Sequence, residues 1–440
     1  MNATTITIEN MSQSKIVSVK ITKLWNIKDI STMFHPDVNV FIGVNGSSKT
    51  TFLNLIEGAL LVDIRILSKI QYERISIVLD NEEIKTVDID KDTSDNIPVI
   101  RYRINNIETY EIPYGEMRHP YRMNVLREII DVLRNKLCAY VPISWLSVYR
   151  ERNISKEIFD DTNSSRDNTN VVDAKLNYLL RKLLSYRLQL EGELNKVADK
   201  FKEDVFSIML YNKKYDCIDV DNFVSFSSLD PKLIKRQLFE VFKKLGIVRD
   251  KAKDIADHMD ALASVMGKIL SKTQLSAEDL MPIALLNRTM SLIDLSKKEE
   301  AAKSQINAPL NNYLKCLKDF MPEKTFEFED GIEGMSIKLD GDHKAGGIRP
   351  ITITPSSLSS GEKQLLILLT ETLLQQNVPT IFLADEPELS LHIDWQRKII
   401  SSVRELNPNA QIIVATHSPE IAGLWIPNVI NMANITNYVQ

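Results

Sequence analysis

Between residues 16 and 42 apolar positions first alternate with polar ones and then condense, ending in Val38-Asn39-Val40-Phe41-Ile42. A short β-rich run of this kind, followed at once by Gly43, predicts a buried strand entering a tight loop. From Thr50 to Ile70 the spacing of Leu53, Ile56, Leu60 and Ile64 is helical. Residues 71–117 read as short strands separated by charged turns, Arg74–Asp80 and Val99–Asn105 among them. A helix over Met123–Lys136 then leads into the apolar run Leu137–Ile143.

After about residue 150 the pattern changes. From Asp173 to Met321 Gly and Pro are sparse, and apolar residues recur at helical intervals. Leu176, Leu179, Leu180, Leu183, Leu184, Leu188, Leu190, Leu194, Val197 and Phe201 form one long amphipathic stripe. Further helices are predicted over Pro231–Leu270 and Ala277–Phe320. Two forms suit such a segment: a compact helical subdomain, or a protruding antiparallel coiled-coil arm, which needs a sustained heptad repeat. The leucine stripe is imperfect as a heptad, which favours the compact form. From Lys324 strands return (Thr325–Glu329, Met335–Leu339), and a loop with Gly346 and Gly347 follows. The remainder alternates loop, helix and strand. The expected fold class is α/β, with residues 1–150 and 325–440 as two halves of one domain and residues 151–324 as a helical insertion.

Apolar residues make up 44% and charged residues 26%, so the chain reads as an ordinary globular protein. The formal net charge of −5 excludes a surface coated in positive charge, yet leaves room for a local basic channel and nucleic-acid contact. Cys138, Cys217 and Cys316 fall in no metal-ligand spacing and read as thiols of a reducing compartment. Met1–Lys15 lacks the apolar core of a secretory signal, and no apolar run approaches the ~20 residues that span a bilayer. A cytoplasmic chain without a membrane partner is expected.

Candidate chemistry concentrates first in Gly43-Val44-Asn45-Gly46-Ser47-Ser48-Lys49-Thr50-Thr51, between the predicted strand and helix. This is the pattern of a phosphate-binding P-loop, in which backbone N–H groups and the positive end of a helix wrap an anion. Lys49 would reach the β- and γ-phosphates of ATP, and the Thr50 hydroxyl would ligate Mg²⁺. Gly43, Asn45, Gly46, Ser47, Ser48 and Thr51 complete the predicted loop. Ser48 stands where the pattern has Gly. A Cβ there crowds the phosphates or forces a backbone angle that Gly adopts easily. Two readings stay open: ATP binds with slightly altered geometry, or the site binds weakly and hydrolyses slowly.

The second concentration lies near the C-terminus. Thr380-Ile381-Phe382-Leu383-Ala384-Asp385-Glu386-Pro387 is an apolar strand ending in two acids. Carboxylates at that end of a parallel strand face the ligand crevice. Asp385 suits Mg²⁺ coordination, and Glu386 suits the general base that orients the attacking water. Upstream, Leu358-Ser359-Ser360-Gly361-Glu362-Lys363-Gln364 precedes an apolar helix, Leu365–Leu374, that Ser359 or Ser360 would cap. Downstream, Gln411-Ile412-Ile413-Val414-Ala415-Thr416-His417 is another apolar strand, whose histidine can contact the γ-phosphate. His35, His119, His258, His343 and His392 have no such setting and read as structural or surface residues.

These segments carry a resemblance. Leu358–Gln364 resembles the ABC signature in the form found in the RecF, Rad50 and SMC branch. Asp385–His392, together with Thr416-His417-Ser418-Pro419-Glu420, resembles the ATPase of OLD-family proteins and related phage-defence ATPases, including Septu-type (retron-linked) and PARIS-type subunits. The likeness covers the two α/β ends and says little about the insertion. It implies that Ser359, Ser360, Gly361 and Glu362 of one subunit close over ATP held by the P-loop of another, in a head-to-tail homo-oligomer. A nucleotide-gated platform of this kind, an ATPase on which the effect of Ser48 stays open between the two readings above, would control a separate effector protein, a nuclease. No nuclease pattern occurs in the chain itself, and only residues 418–440 follow His417, too few for the Toprim domain of OLD proteins. The insertion would offer the surface for that partner or for nucleic acid. No Q-loop glutamine follows the strand near Ile143. Tyr149-Arg150-Glu151-Arg152 stands there instead, and Arg150 or Arg152 is expected close to the nucleotide or the dimer interface. A RecF/Rad50-like repair clamp and a nucleotide-held scaffold without turnover are the alternatives.

Overall fold

A computed structural model describes residues 14–93, 97–114, 120–147, 171–211, 231–245, 248–271, 273–274, 276–328, 335–339, 351–389 and 391–439. Two compact units form, Met1–Leu184 with Leu310–Gln440, and Ser185–Pro309.

The first unit rests on two large sheets. One is antiparallel, built from β1 (Ile16–Leu24), β2 (Lys28–Met33), β4 (Arg74–Leu79), β5 (Thr86–Asp92), β6 (Val99–Ile104), β7 (Glu108–Pro113) and the late strand β15 (Thr436–Tyr438), in the order β15-β2-β1-β4-β5-β6-β7. Alternate residues of β4 to β6 are buried, as expected of a sheet covered on one face. The other sheet is parallel. It comprises β3 (Val38–Ile42), β8 (Ile143–Ser147), β12 (Ile381–Asp385), β13 (Gln411–Ala415) and β14 (Val429–Asn431), in the order β14-β3-β13-β12-β8. Its central strands are buried almost throughout, and their sequences accordingly read as near-continuous apolar runs, with Asn39 inside β3 the interior exception. A small sheet of β9 (Lys324–Phe328), β10 (Met335–Leu339) and β11 (Ile351–Ile353) stands apart.

Helix α1 (Lys49–Leu60) fills the space between the large sheets. Phe52 is fully buried and meets Phe41 of β3 at a ring separation of 5.3 Å. Tyr102 of β6 donates to the Ala59 carbonyl at 3.1 Å. Gln411 ties the sheets together: its amide donates to the Ile16 carbonyl at 2.8 Å and accepts from Ile16 N–H at 2.7 Å. The helical spacing from Thr50 to Ile70 is interrupted after Leu60. Val62 adopts a left-handed φ of 54°, and Asp63 caps a new helix, α2 (Ile64–Lys69), by accepting from Arg65 N–H at 3.0 Å. The helix α3 (Pro120–Tyr140) precedes β8.

Helices α4 (Val171–Met209) and α7 (Leu280–Phe320) each contribute one end to the first unit. There Lys363 pairs with Asp173 at 2.7 Å, Lys175 pairs with Glu371 at 3.1 Å, and buried Tyr313 meets Thr370 at 2.7 Å. All of these join α8 (Ser360–Leu374). The second unit has its own core. Phe201 of α4, Ile234, Leu238 and Val241 of α5 (Pro231–Lys244), Ile255, Met259 and Leu262 of α6 (Val248–Leu270), and Ile293 of α7 form it. One residue of the expected stripe is displaced: Leu188 is 60% exposed. Helical spacing carries the stripe from Leu183 to Tyr186 and Leu190, which puts Leu188 on the opposite face. Among the described residues no helix is long and apolar enough to cross a membrane.

Candidate functional site

The parallel sheet brings three strand ends together, β3, β13 and β12, as adjacent parallel strands do at their carboxyl edge. From β3 the chain enters the loop at Gly43, where a Cβ would meet Ser47 Oγ at 2.6 Å and the Cβ atoms of Ser47 and Met432 at 3.2 Å, so a larger residue would have to push these aside. Gly46 sits at φ 81° and Ser48 at φ 74°, alternating the backbone hand as in an anion-binding nest. For serine that conformation costs about 1 kcal/mol. The fold tolerates it because α1 is anchored in the core at Phe52 and Leu53, both fully buried.

Lys49 opens α1 with its amine inside the loop, donating to the Gly43 carbonyl at 2.8 Å and to His417 Nε2 at 2.7 Å. Since an ammonium can only donate, that ring nitrogen accepts. Burial lowers the Lys49 amine from its ordinary value, while Glu386, Asp385 and Glu388 pull it back up. The Thr50 hydroxyl donates to Asp385 Oδ1 at 3.1 Å. Glu386 follows β12 in a left-handed turn, φ 50°, its N–H held by the Ala415 carbonyl at 2.8 Å. Its carboxylate lies 3.7 Å from His417 Nε2. A cleft of about 560 Å³ runs beside the loop, lined by Gly43, Thr416, His417, Ser418, Ile426 and Val429.

Lys49, Thr50, Asp385, Glu386 and His417 thus form one cluster although far apart in sequence. Asn45 and Gly46 are exposed on the loop, and Thr51 is half-buried on the first turn of α1. Ser359–Glu362 lie elsewhere on the unit. There Ser359 caps α8 in a reciprocal box with Glu362, whose carboxylate accepts from Ser359 N–H at 2.9 Å and pairs with Lys324 at 2.6 Å. Lys324 and the box hold the Glu362 carboxyl below its ordinary range against the opposing effect of burial. Among the described residues no hydrogen bond or ion pair links this segment to the P-loop cluster. Arg150 and Arg152 lie outside the described residues, as do Cys217, His119 and His343. His258 bonds Thr289 at 2.9 Å, and His392 caps α9 (Ile393–Leu406).

One residue that supports the cluster carries no signal of its own in the sequence. Glu388 Oε1 accepts from Thr416 Oγ1 at 2.6 Å, from His417 N–H at 2.8 Å and from Ser418 N–H at 3.1 Å. It fixes the turn that carries His417. Its place two residues after Glu386 is the available signal, but β12 ends at Asp385 and with it the periodic reading.

A nucleotide triphosphate and a divalent cation fit this donor set. Ser47 Oγ is buried without a hydrogen-bond partner, an unsatisfied group inside a loop shaped for an anion. Among the described residues no cluster of metal-ligating side chains stands ready by itself. Mg²⁺ takes one or two protein oxygens and completes its shell with phosphate and water, and Thr50 Oγ1 and Asp385 Oδ1, 3.1 Å apart, offer two.

The fold and this set of motifs support an ABC-type ATPase of the branch that includes RecF, Rad50, SMC and OLD-family proteins, with defence-associated relatives. Residues 271–423 match the family described as "AAA domain, putative AbiEii toxin, Type IV TA system". The chain is similar to the "Retron Ec83 probable ATPase" of Escherichia coli, 37% identical over 82 residues, covering 16% of this chain and 15% of that protein. It is similar to the DNA repair protein RecN of Rickettsia bellii, 24% identical over 205 residues, covering 43% of this chain and 36% of that one. The matches therefore span well under half the length of these relatives. Among solved structures, the Pyrococcus furiosus Smc head domain with an extended coiled coil, bound to the C-terminal domain of ScpA, aligns over 97% of this chain and 96% of that one. Its sequence identity is 14% and its TM-score 0.41.

Proposed function

We propose that the chain binds Mg·ATP at the P-loop cluster and hydrolyses it. The observation that carries this reading is the convergence of Lys49, Thr50, Asp385, Glu386 and His417 on one strand edge. Lys49 holds the β- and γ-phosphates, and the loop N–H groups surround the remainder. Thr50 and Asp385 hold Mg²⁺, which when bound neutralises charge developing on the transferred phosphoryl group. Glu386 orients a water and takes its proton, and His417, bonded to Lys49 and beside Glu386, senses the γ-phosphate between them.

We further propose that a second copy completes the site with Ser359–Glu362. Capped α8 offers its positive N-terminal end, but on a part of the unit with no bond to its own P-loop. ATP then links two protomers and hydrolysis releases them, so the protein acts as a nucleotide-gated platform. The likeness to retron ATPases supports a role in antiviral defence, holding and releasing a separate nuclease effector. The RecN match favours a second reading, a DNA-repair clamp. Strongly salt-dependent DNA binding by the purified chain would select the clamp.

Mixing two inactive variants tests the shared site. Lys49→Ala spoils the P-loop side and Ser359→Arg the signature side. Each alone should lack ATPase activity, and an equimolar mixture should recover about a quarter of the wild-type rate, since half the dimers are mixed and each of these has one intact composite site. A mixture as dead as its parts would refute the shared site.

A further inference from the structure

Ser48 stands where the P-loop pattern has glycine, and its hydroxyl is engaged. As the residue before α1 it makes no side-chain cap to the helix. Its Oγ instead accepts from Lys28 Nζ at 2.6 Å. Lys28 opens β2 in the antiparallel sheet, pairing with Leu24 on one side and Tyr438 on the other. It is only 7% exposed, and burial lowers its amine from the ordinary value. Among the described residues no carboxylate pairs with it, and Ser48 is the only side chain that receives its proton.

A buried ammonium without a counter-charge is costly, and a partner of opposite charge offsets that cost. The anion nearest to hand is the one the loop is shaped to wrap. Ser47 Oγ, in the same loop, is also buried and without a partner. Lys49 is not such an orphan: its amine bonds Gly43 and His417, and Glu386, Asp385 and Glu388 supply negative charge beside it.

We propose that Lys28 is a second phosphate-binding cation of the nucleotide site, held against the loop by Ser48. The inference rests on the ATP-site reading given above. Ser48 is then a functional exchange: strain in the loop is accepted for a hydroxyl that holds Lys28. Loop N–H groups serve the α- and β-phosphates, whereas the P-loop lysine reaches β and γ. Lys28, acting through the loop, therefore strengthens nucleoside diphosphate and triphosphate alike.

Calorimetric titration of the full chain with Mg·ADP and Mg·ATP tests this. Lys28→Met should weaken both nucleotides by a similar factor, on the order of tenfold for one lost charge-assisted contact. Lys28→Arg should restore most of that loss. Without nucleotide, Lys28→Met should melt no lower than wild type, because an uncompensated buried charge is gone, while the thermal shift produced by Mg·ADP shrinks. Ser48→Gly should raise the melting temperature of the free protein yet weaken Mg·ADP, since strain and tether leave together. Lys49→Ala separates the two levels of the argument. If Lys49→Ala weakens nucleotide and Lys28→Met does not, the second cation is refuted and the ATP site stands. If Lys49→Ala binds as well as wild type, the site reading itself fails. Ser48→Gly binding Mg·ADP more tightly than wild type would also overturn the proposal.

Discussion

Replacing Glu388 by alanine removes one oxygen that serves Thr416 Oγ1, His417 N–H and Ser418 N–H at 2.6, 2.8 and 3.1 Å. A hydrogen bond to a charged group contributes roughly 1.5–3 kcal/mol, but the three losses do not simply add. Ser418 N–H keeps a bond to Thr416 Oγ1 at 2.8 Å, and His417 N–H can turn to solvent. Thr416, with no exposed surface, has no such escape. The net cost is therefore about 2–4 kcal/mol. The same turn aims His417 at Lys49, so loosening it should lower kcat by about tenfold with little change in KM. Glu388→Gln keeps an acceptor oxygen in place and should lose only about 1 kcal/mol, with most of the turnover retained. Urea unfolding and steady-state ATPase measurements on the three proteins decide the matter. An alanine variant within about 0.5 kcal/mol of wild type, turning over at the wild-type rate, would refute the clamp.

Two further outcomes follow from the packing. Phe52→Ala empties a fully buried position beside Phe41 and Phe34 and should cost about 3–5 kcal/mol in urea unfolding. A loss under about 1 kcal/mol would mean that the P-loop helix is not anchored there. In the second unit Lys268 and Ser276 hold the Asp279 carboxyl down to about 2, against an ordinary value of 3.8. A depressed folded-state pKa contributes stability that is complete above about 4 and fades as pH falls from there to about 2. Asp279→Asn should flatten the acid unfolding limb in that window when helicity is followed by circular dichroism, and an unchanged limb would contradict the pairing.

The strands that carry the site were legible because their sequences are local statements. Val38–Ile42, Ile381–Asp385 and Gln411–Ala415 are predominantly apolar, Asn39 being the one interior interruption, and each leads directly into a polar or glycine-rich segment. What could not be read depends on contacts distant in sequence. Nothing near Lys28 announces that its amine reaches Ser48, since β2 reads as an ordinary alternating strand. The break at Val62 goes against a continuous helical spacing, because the left-handed turn there is fixed by the Asp63 cap and by Arg134, which donates to the Leu61 carbonyl at 3.0 Å. Leu188 was misplaced for a different reason. Apolar spacing over so long a helix admits more than one stripe, and packing against two separate cores selects among them.

Titration with Mg·ATP of wild type, Lys49→Ala and Glu386→Gln, joined to phosphate release and light scattering, tests the central claim most directly. The account predicts that wild type binds and turns over ATP, that Lys49→Ala loses binding, and that Glu386→Gln binds without turnover and accumulates as an ATP-dependent dimer. Wild-type affinity in Lys49→Ala, or full turnover in Glu386→Gln, would contradict it.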